Sequence, residues 1–311
     1  MCLIGIAVDW PGPWLLVVAA NRDEFHDRQA APASWWNAPD AAAGPEQATV
    51  FGGRDLQGGG TWLGLRRAAH ASLRVGALTN LRPGLMPAPA LPPPGRPAVP
   101  PSRGNLVAGY LSSRADPATF LRNLDPPPGA YAGFNLLAIA LGGRGGGIDT
   151  GYLNNLPGSQ VRRLAAGIHV LSNATLDVPW PKTRRLQAAM TAALGGVTVA
   201  VTGAAPRGAT AATVAADAGN EARLATTLLA ALGDRTEAGE ADLPRTGLDR
   251  DRERLLSAPF IVDDHYGTRC STVLVVDREG RVYFAERSFG PGGRLLGMVT
   301  ERFVLGRPAG S

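Results

Sequence analysis

Two apolar segments open the chain and predict a β-hairpin. Residues 3–8 read LIGIAV and residues 14–20 read WLLVVAA, and both runs are typical of buried strands. The turn between them carries Asp9, Pro11 and Gly12, which favour a chain reversal. Because an antiparallel hairpin returns the chain to its start, the polar residues after the second strand are expected beside the start of the first.

Six more apolar segments predict strands, at 74–80, 133–141, 167–173, 258–263, 271–277 and 281–287. The last two bracket the sequence Asp-Arg-Glu-Gly at 277–280, which predicts a second hairpin. Residues 271–276 read STVLVV and are almost wholly apolar. This pattern is expected of a strand that is covered on both faces, and the neighbouring Cys270 is expected to pack there.

Helical periodicity predicts four helices, at 103–113, 117–124, 182–194 and 217–232. Ser102 and Asp116 are the expected N-caps of the first two helices, and Pro117 suits a first helical turn. In the last helix, leucines recur at the spacing of one buried face, at Leu224, Leu228, Leu229 and Leu232. These helices are expected to cover sheets and to carry no chemistry.

Three stretches interrupt the periodic pattern and are expected to be connections. They are a Pro-rich loop at 83–101, a glycine-rich turn at 141–147 and an Ala/Thr/Gly-rich connector at 196–216. The Pro-rich loop is interpreted as an exposed polyproline-like segment, and a PxxP docking site for a protein partner is the alternative.

Composition narrows the class of protein. The chain has 311 residues, of which 45% are hydrophobic and 18% charged, enough for one large core or two modest ones. It has no G-X-Y period, no sustained heptad and no apolar run of about 18 residues, which excludes a collagen, a coiled coil and a many-span membrane protein. The net charge of +5 is dilute, Lys182 is the only lysine, and no nucleic-acid-binding motif is present. We therefore expect no nucleic-acid partner.

Cysteine and histidine usage bears on compartment and metal content. Two cysteines, Cys2 and Cys270, cannot form a disulfide framework and favour a reducing compartment. The first 20 residues lack a positive n-region and are interrupted by Asp9 and two prolines, unlike a signal peptide. A cytoplasmic location is expected. No Cys/His pair has metal-ligand spacing, so no metal site is predicted.

Position 2 carries a specific chemical possibility. Removal of Met1 would leave Cys2 with a thiol and a free α-amine, whose ordinary pKa values are about 8.5 and about 7.7 to 8.0. The amine can then take the proton of the thiol, so that nucleophile and base share one residue. The alternative is that Cys2 is a small buried residue on an edge strand.

A polar cluster, Asn21-Arg22-Asp23-Glu24, directly follows the second strand of the opening hairpin. A guanidinium near Cys2 would favour the thiolate, and a carboxylate there would orient an α-ammonium. This placement predicts a polar site at the start of the chain. The alternative is a solvated turn with an internal Arg–Asp pair.

The glycine-rich sequence at 52–64, GGRDLQGGGTWLG, invites a phosphate-binding interpretation, but it lacks the Lys-Ser/Thr ending of a Walker A loop. It also lacks the context of a dinucleotide-binding turn. We expect a tight turn that lines a pocket, with Trp62 as an apolar wall and Gly60 allowing close approach to a ligand. Contact with the phosphates of a CoA-like ligand is the alternative.

An ordered series of sequence blocks resembles the NRDE family nearly end to end. The blocks are the initial Met-Cys, NRDEF (21–25), GGRDLQGGGTWLG (52–64), ALTNLR (77–82), SRGNLV (102–107), YAGFNLL (131–137), LSNATLDVPWPK (171–182), YGTRCSTVLVVD (266–277) and FAERSF (284–289). The resemblance implies an α+β fold, a four-layer αββα sandwich of two antiparallel sheets like that of N-terminal-nucleophile hydrolases. Because the blocks come from both ends and the middle, a single domain over 1–311 is expected.

The resemblance also implies site residues, by way of a more distant similarity to choloylglycine hydrolases and penicillin V acylases. Cys2 would be the nucleophile, Arg22 would support the thiolate and Asp23 would hold the α-amine. The expected oxyanion donors are Asn80 and Asn173. Those acylases place Arg and Asp differently within their motif, so this assignment of roles departs from theirs. Further residues expected around the same pocket are Arg269 and the ligand-binding candidates Asn21, Glu24, Gly60 and Trp62.

Two functions remain open on the sequence. The first is hydrolysis of an amide or thioester through an acyl-enzyme on Cys2, with no cofactor required. The second is non-catalytic binding and trafficking of haem or of an acyl-CoA or lipid ligand, activities to which NRDE-family members have been linked. For a haem cargo, the candidate axial ligands are His26, His169 and Cys270. Either function takes a small-molecule partner.

Overall fold

A computed structural model describes residues 2–37, 49–67, 72–86, 100–125, 127, 130–142, 146–196 and 211–306. Within these ranges, twelve strands form two six-stranded sheets. Every pair of neighbouring strands is antiparallel. No helix in the described part of the chain combines the length and apolar composition needed to cross a bilayer.

The first sheet contains both ends of the chain and carries the opening hairpin. Its strands are β1 (Cys2–Val8), β2 (Trp14–Phe25), β9 (Gly167–Leu171), β10 (Tyr266–Asp277), β11 (Arg281–Phe289) and β12 (Leu295–Val304). They are arranged in the order β12-β11-β10-β2-β1-β9. The hairpin of β1 and β2 therefore lies inside the sheet, which explains why its strands are apolar on both faces.

The second sheet follows chain order. Its strands are β3 (Ala30–Asn37), β4 (Thr49–Asp55), β5 (Leu63–Arg67), β6 (Leu73–Asn80), β7 (Phe134–Leu141) and β8 (Ile148–Asn154). Side chains from the inner faces of both sheets form one core, in which the rings of Phe51 and Phe284 meet edge to face, 4.9 Å between centroids.

Helices cover the two outer faces. They are α1 (Gly104–Ser112), α2 (Pro117–Arg122), α3 (Pro181–Gly195), α4 (Ala211–Leu232) and α5 (Arg250–Leu255). Helices α3 and α4 bury their apolar faces against the first sheet, and α1 and α2 pack on the second. Successive side chains of β1 point to different layers. Ile4 and Ile6 enter the inner core, while Leu3 and Ala7 contact the helix layer. The predicted α+β αββα sandwich is confirmed.

Local signals in the sequence located much of this framework. The hairpin turn at 277–280 is confirmed, with Gly280 in the left-handed region at φ 76°. Asp116 caps α2 as expected, accepting the Thr119 N–H. Ser102 does not cap α1, because the helix begins at Gly104 and the cap position falls on Arg103. Helix α4 begins at 211 rather than 217.

The predicted strand at 258–263 is wrong. The segment is buried, as its apolar residues suggested, but its backbone bonds outside any ladder. Phe260 N donates to Asp234 O at 2.8 Å, and Ile261 N donates to the Thr268 side chain at 2.9 Å. Burial of a backbone requires partners for its polar groups and not a particular secondary structure.

Other elements were not predicted from the pattern. They are β3, β4, β5, β8, β12 and α5. Most of the Pro-rich loop (residues 87–99), most of the Ala/Thr/Gly-rich connector (197–210) and residues 143–145 of the glycine-rich turn lie outside the described residues.

The glycine-rich loop between β4 and β5 supports the start of α1. Gly60 has φ +70°, and a Cβ placed there would collide with the backbone carbonyl of Gly104, the first residue of α1. Thr61 N donates to the same carbonyl at 3.3 Å. Close backbone contact, which glycine alone permits, therefore holds α1 and the preceding Arg103 in place.

Replacing Gly60 by alanine is expected to destabilise the protein by more than about 1 kcal/mol, since the substitution adds a strained left-handed residue and a backbone collision. Gly109→Ala is the matched control, because Gly109 lies exposed within α1 and a Cβ there would meet only Phe120, at 3.8 Å. That variant is expected to gain about 0.5 to 1 kcal/mol. Urea unfolding of both variants measures the difference, and equal stabilities would contradict it.

Candidate functional site

A cavity of about 790 Å³ opens between the two sheets at the end of the chain's opening hairpin. Both sheets and the start of α1 contribute to its wall. Seven of the residues that the sequence nominated line it: Cys2, Arg22, Asp23, Glu24, Trp62, Asn80 and Arg269. The antiparallel pairing of β1 and β2 brings most of these residues together.

A row of side chains on the inner face of the first sheet forms one side of the cavity. Cys2 pairs with Arg22, Arg22 pairs with Cys270, and Cys270 pairs with Ser288 on the next strand. Arg22 thus lies between the two cysteines in the sheet. Directly paired residues on neighbouring strands have Cβ atoms about 4.5 to 5.5 Å apart, which places Arg22 within electrostatic reach of Cys2.

Arg22 is buried and only loosely paired. Its Nη2 lies 3.9 Å from Asp55 Oδ2 and 4.0 Å from Glu24 Oε2, longer than hydrogen bonds. Its Nη1 has no hydrogen-bond partner among the described residues. A buried guanidinium with unused N–H groups at the edge of a cavity is well suited to an anionic group or a developing negative charge.

Burial controls the ionisation of the Cys2 thiol. The side chain is 6% exposed, and its burial raises the pKa of the thiol above the ordinary value. The charge of Asp23 raises it further, while Arg22 acts in the opposite direction. The resting side chain is therefore a thiol rather than a thiolate at neutral pH, and its use as a nucleophile requires a base.

Asp23 is held firmly from the neighbouring strand. Thr268 donates its hydroxyl to Asp23 Oδ1 at 2.8 Å, and the Tyr266 hydroxyl donates to the Asp23 backbone carbonyl at 3.0 Å. Burial raises the pKa of the carboxyl, and the bond from Thr268 opposes that shift. The arrangement fixes a carboxyl group at the end of β2, beside Cys2.

Asn21 serves the fold. Its amide nitrogen donates to Leu232 O and to Pro259 O, both at 2.8 Å, and its Oδ1 accepts from Ser271 at 2.6 Å. The side chain is fully buried and ties the end of α4 and the irregular segment before β10 to the sheet. Its amide hydrogen-bonding groups are thus used within the protein rather than presented to a ligand.

The two asparagines nominated as oxyanion donors have different positions. Asn80 ends β6 and lines the cavity. Asn173 is fully buried, and its amide nitrogen donates to the Asn80 backbone carbonyl at 2.8 Å. Ser172, next to it, donates to the Cys2 carbonyl at 3.1 Å. Asn80 is therefore the amide available to a ligand, and Asn173 holds the backbone that carries it.

The remaining nominated residues shape the wall. Arg269 donates to the carbonyls of Phe25, at 2.7 Å, and Arg28, at 3.1 Å, and so holds the turn after β2. Trp62 is 8% exposed and forms an apolar side of the cavity. Gly60 is not part of the wall, but its backbone contacts the start of α1, which is.

Many lining residues were not predicted from the sequence, and two of them, Arg103 and Glu286, are charged residues of the blocks that carry the family resemblance. Arg103 precedes α1 and donates to Gly133 O at 2.9 Å; burial lowers its pKa, and a negative charge at Cys2 opposes that shift. Glu286 on β11 accepts from Ala33 N at 2.8 Å, and burial raises its pKa. Their charge, within blocks that already carry the family resemblance, is the signal that could have identified them.

The part of the cavity wall toward the edge of the first sheet is apolar. Phe289, Leu296, Met298 and Val299 line it, from β11 and the edge strand β12. Leu296 is 55% exposed and Met298 is 49% exposed, so apolar surface continues from the cavity to the outside. The cavity thus combines a charged interior around Cys2 with an apolar mouth.

The three candidate haem ligands do not meet. Both ring nitrogens of His169 are engaged, Nδ1 with Asp177 Oδ2 at 2.8 Å and Nε2 with Ala165 O at 3.0 Å. His26 bonds through Nε2 to Asp263 O at 3.2 Å. Cys270 lines the cavity. Axial ligation by any of them stays a hypothesis from the sequence.

Comparison with known proteins identifies relatives over nearly the whole chain. The family model of Transport and Golgi organisation 2 matches residues 1–291. The chain is 33% identical over 305 residues to the Transport and Golgi organization protein 2 homolog of Bos taurus, covering 93% of each chain. It is 29% identical to the homolog of Homo sapiens over 93% of each chain, and 27% identical to Transport and Golgi organization protein 2 of Drosophila melanogaster over 93% and 92%.

The contact between His169 and Asp177 predicts a pH-dependent contribution to stability. The hydrogen bond that His169 Nδ1 donates to the Asp177 carboxylate raises the pKa of His169. Burial opposes ionisation of Asp177, but the same hydrogen bond lowers its pKa overall. Because the folded pKa of His169 lies above its unfolded value of about 6.5, the stabilisation is complete below that pH and is lost as pH rises through the folded pKa.

Asp177→Asn is expected to cost about 0.3 to 1 kcal/mol more at pH 5.5 than at pH 8.5, a range that allows for the solvent exposure of the pair. Asparagine keeps the acceptor for Val170 N and tolerates the left-handed backbone of residue 177, φ 63°. Denaturant unfolding of both proteins at the two pH values measures the difference, and a pH-independent cost would show that the imidazolium has no share in the contact.

Proposed function

This chain belongs to the Transport and Golgi organisation 2 family, and we propose that it is a hydrolase that cleaves an amide or thioester bond through an acyl-enzyme on Cys2. The observation that carries the proposal is the pairing of Cys2 with Arg22 at the charged end of a cavity that also presents the Asn80 amide. Nucleophile, cation and amide donor thus lie around one enclosed space.

The first half of the reaction forms the acyl-enzyme. After removal of Met1, the α-amine of Cys2 takes the thiol proton, and the sulfur attacks the substrate carbonyl carbon. The negative charge moves to the carbonyl oxygen, where Asn80 donates a hydrogen bond and Arg22 supplies positive charge. When the tetrahedral intermediate collapses, the bond to the leaving amine or thiol breaks, and the α-ammonium returns the proton to that group.

The second half regenerates the thiol. The α-amine takes a proton from water while the oxygen attacks the thioester carbonyl. Collapse of the second tetrahedral intermediate releases the carboxylic acid and the Cys2 sulfur, which recovers its proton. The reaction consumes one water and requires no cofactor. Because both described cysteines are free thiols, we expect it to proceed in a reducing compartment such as the cytoplasm.

The apolar mouth supports an acyl group of some length as the part of the substrate that enters beside β12. Phe289, Leu296 and Met298 offer that group a surface, and the charged interior would receive the carbonyl. A polar substrate with no apolar portion would leave this surface unused.

The decisive variant is Cys2→Ala, assayed against a panel of acyl thioesters and N-acyl amides of different chain lengths. Loss of turnover by at least about a thousandfold is expected, since nucleophile removal leaves only binding and oxyanion stabilisation. Cys270→Ala, which removes the other thiol beside Arg22, is the control and keeps turnover. Mass spectrometry of the wild type is expected to show the Cys2-terminated chain and, during turnover, an acyl adduct on Cys2. Retained Met1, or equal turnover by Cys2→Ala, would refute the mechanism.

The second candidate function is binding and carriage of a haem or lipid ligand without turnover. The exposure of Leu296 and Met298 at the mouth favours an acyl or lipid ligand. Binding of a fluorescent fatty-acyl probe to the wild type, measured together with the turnover assay, distinguishes the two functions. Met298→Glu is expected to weaken probe binding at least about tenfold, because it places a charge on the apolar wall. Glu301→Gln on the same strand is the control. Tight binding with no turnover of any substrate would favour the carrier.

A further inference from the structure

Lys182 is the only lysine of the chain, and it lies directly behind the site. It occupies the first turn of α3, which packs on the outer faces of β1 and β9. The residue is 1% exposed, and its Nζ has no hydrogen-bond partner among the residues that the structure describes. An ammonium in such a position is costly unless a nearby charge compensates it.

Charged groups from several elements surround this ammonium. Asp23 on β2 and Cys2 on β1 interact with it favourably when they are negative, and Arg82 after β6 repels it. The charge of Arg82 is largely compensated by an ion pair with Glu253 of α5. On β10, Tyr266 faces Asp23, and the positive amino terminus also acts on that carboxyl.

Lys182 and Asp23 lie on the same, outer side of the first sheet. Leu186, one turn after Lys182 in α3, packs over Gly5 of β1, and Asp23 lies on the face of β2 opposite that of Arg22.

Burial of both side chains strengthens the interaction of their charges. Asp23 is 1% exposed, and the Lys182 charge is the main influence that opposes the burial-induced rise in its pKa. Burial lowers the pKa of Lys182 itself to about 8, with Asp23 and Cys2 opposing that shift. Each of the two groups therefore favours the charged form of the other.

We propose that Lys182 is a positioning residue whose ammonium is the buried counter-ion of Asp23 and supports negative charge at Cys2 from behind the sheet. The inference rests on the proposed function only for its catalytic consequence. Lys182 is absent from the wall of the cavity and so acts through Asp23 and Cys2 rather than on substrate. In a chain that otherwise uses arginine, a single lysine matters because its ammonium can lose its proton near neutral pH, whereas a guanidinium cannot.

A charge pair behind the site has a definite consequence for pH dependence. Below about pH 8 the Lys182 ammonium favours the anionic form of Asp23, which can hold a protonated amine beside the thiol. As pH rises through the pKa of Lys182, this support of both negative charges is lost. Replacing Lys182 by a neutral residue is thus expected to lower the fraction of Cys2 thiolate below about pH 8.

The first test measures the thiol directly and needs no substrate. Iodoacetamide alkylation of Cys2 is followed from pH 6 to 10 in a Cys270→Ala background, with and without Lys182→Met. At pH 6 to 7, where Lys182 is protonated, Lys182→Met is expected to lower the alkylation rate about tenfold, and the two profiles are expected to converge as pH rises and Lys182 of the parent loses its proton. Arg184→Met, which removes an exposed cation from the same helix, is the control and leaves the profile unchanged. Superimposable profiles for Lys182→Met and its parent would overturn the proposal.

The second test remains decisive even where Lys182→Met fails to fold. Protein labelled with [ε-¹³C]lysine gives one lysine resonance, so its titration reports Lys182 alone. The resonance is expected to titrate near pH 8 in the wild type and at lower pH in Asp23→Asn. Titration at the ordinary lysine value of about 10.4, or no response to Asp23→Asn, would refute the pairing.

The outcome of these two tests does not depend on whether the protein is a hydrolase. Absence of turnover on every substrate would remove the hydrolase function while the alkylation profile and the lysine titration still decide the role of Lys182. Conversely, normal turnover together with an ordinary lysine titration would leave the hydrolase standing and eliminate the counter-ion.

Discussion

The segment that follows β9 is the point at which hydrogen bonds join the two sheets beside Cys2. Ser172 donates to the Cys2 carbonyl of the first sheet at 3.1 Å and accepts, through its own carbonyl, from Thr79 of the second at 2.5 Å. Asn173 then donates to Asn80. Away from this segment the sheets meet mainly through apolar side chains, whose attraction is not directional, with a further hydrogen bond from Ala33 N of β3 to Glu286 of β11. Hydrogen bonds have defined lengths and angles, so this segment sets the relative position of Cys2 and Asn80.

Several charged side chains are buried around this connection. Arg22, Asp23, Lys182 and Glu286 are all at most 7% exposed and lie at or behind one cavity. Buried ions cost free energy unless they are paired, and several here are paired loosely. A gain in stability therefore does not explain why these groups are buried. Their burial is typical of a site whose charges act on a ligand or on one another.

The same cavity is asymmetric in polarity, and the asymmetry follows from sheet topology. β1 and β2 lie inside the first sheet and bring charged residues to the buried end, whereas β12 forms the edge and carries Leu296 and Met298 into solvent. Side chains of an edge strand have a neighbouring strand on one side only, so they are less covered than those of the inner strands. A ligand with a reactive polar group and an apolar remainder matches both halves of this surface.

The sequence determined those parts of the structure that depend on residues close together along the chain. Apolar runs located the hairpin of β1 and β2, and antiparallel return alone placed Arg22 opposite Cys2. Helical periodicity located α3, and Asp116 marked the start of α2. The family blocks supplied the two-sheet sandwich, because their order carries information that periodicity does not. β3, which contains Pro32, and β5, which has five residues and ends in two arginines, gave no comparable local signal.

Only the tertiary structure decided how each polar side chain is used. Asn21 and Asn173 look like ligand-binding amides in sequence, yet their partners are backbone groups such as Leu232 O, 211 residues away, and Asn80 O, 93 residues away. Lys182 became notable when α3 placed it behind Asp23. The physical reason is that secondary structure follows from local periodicity, whereas the partner of a buried polar group is set by the packing of distant elements.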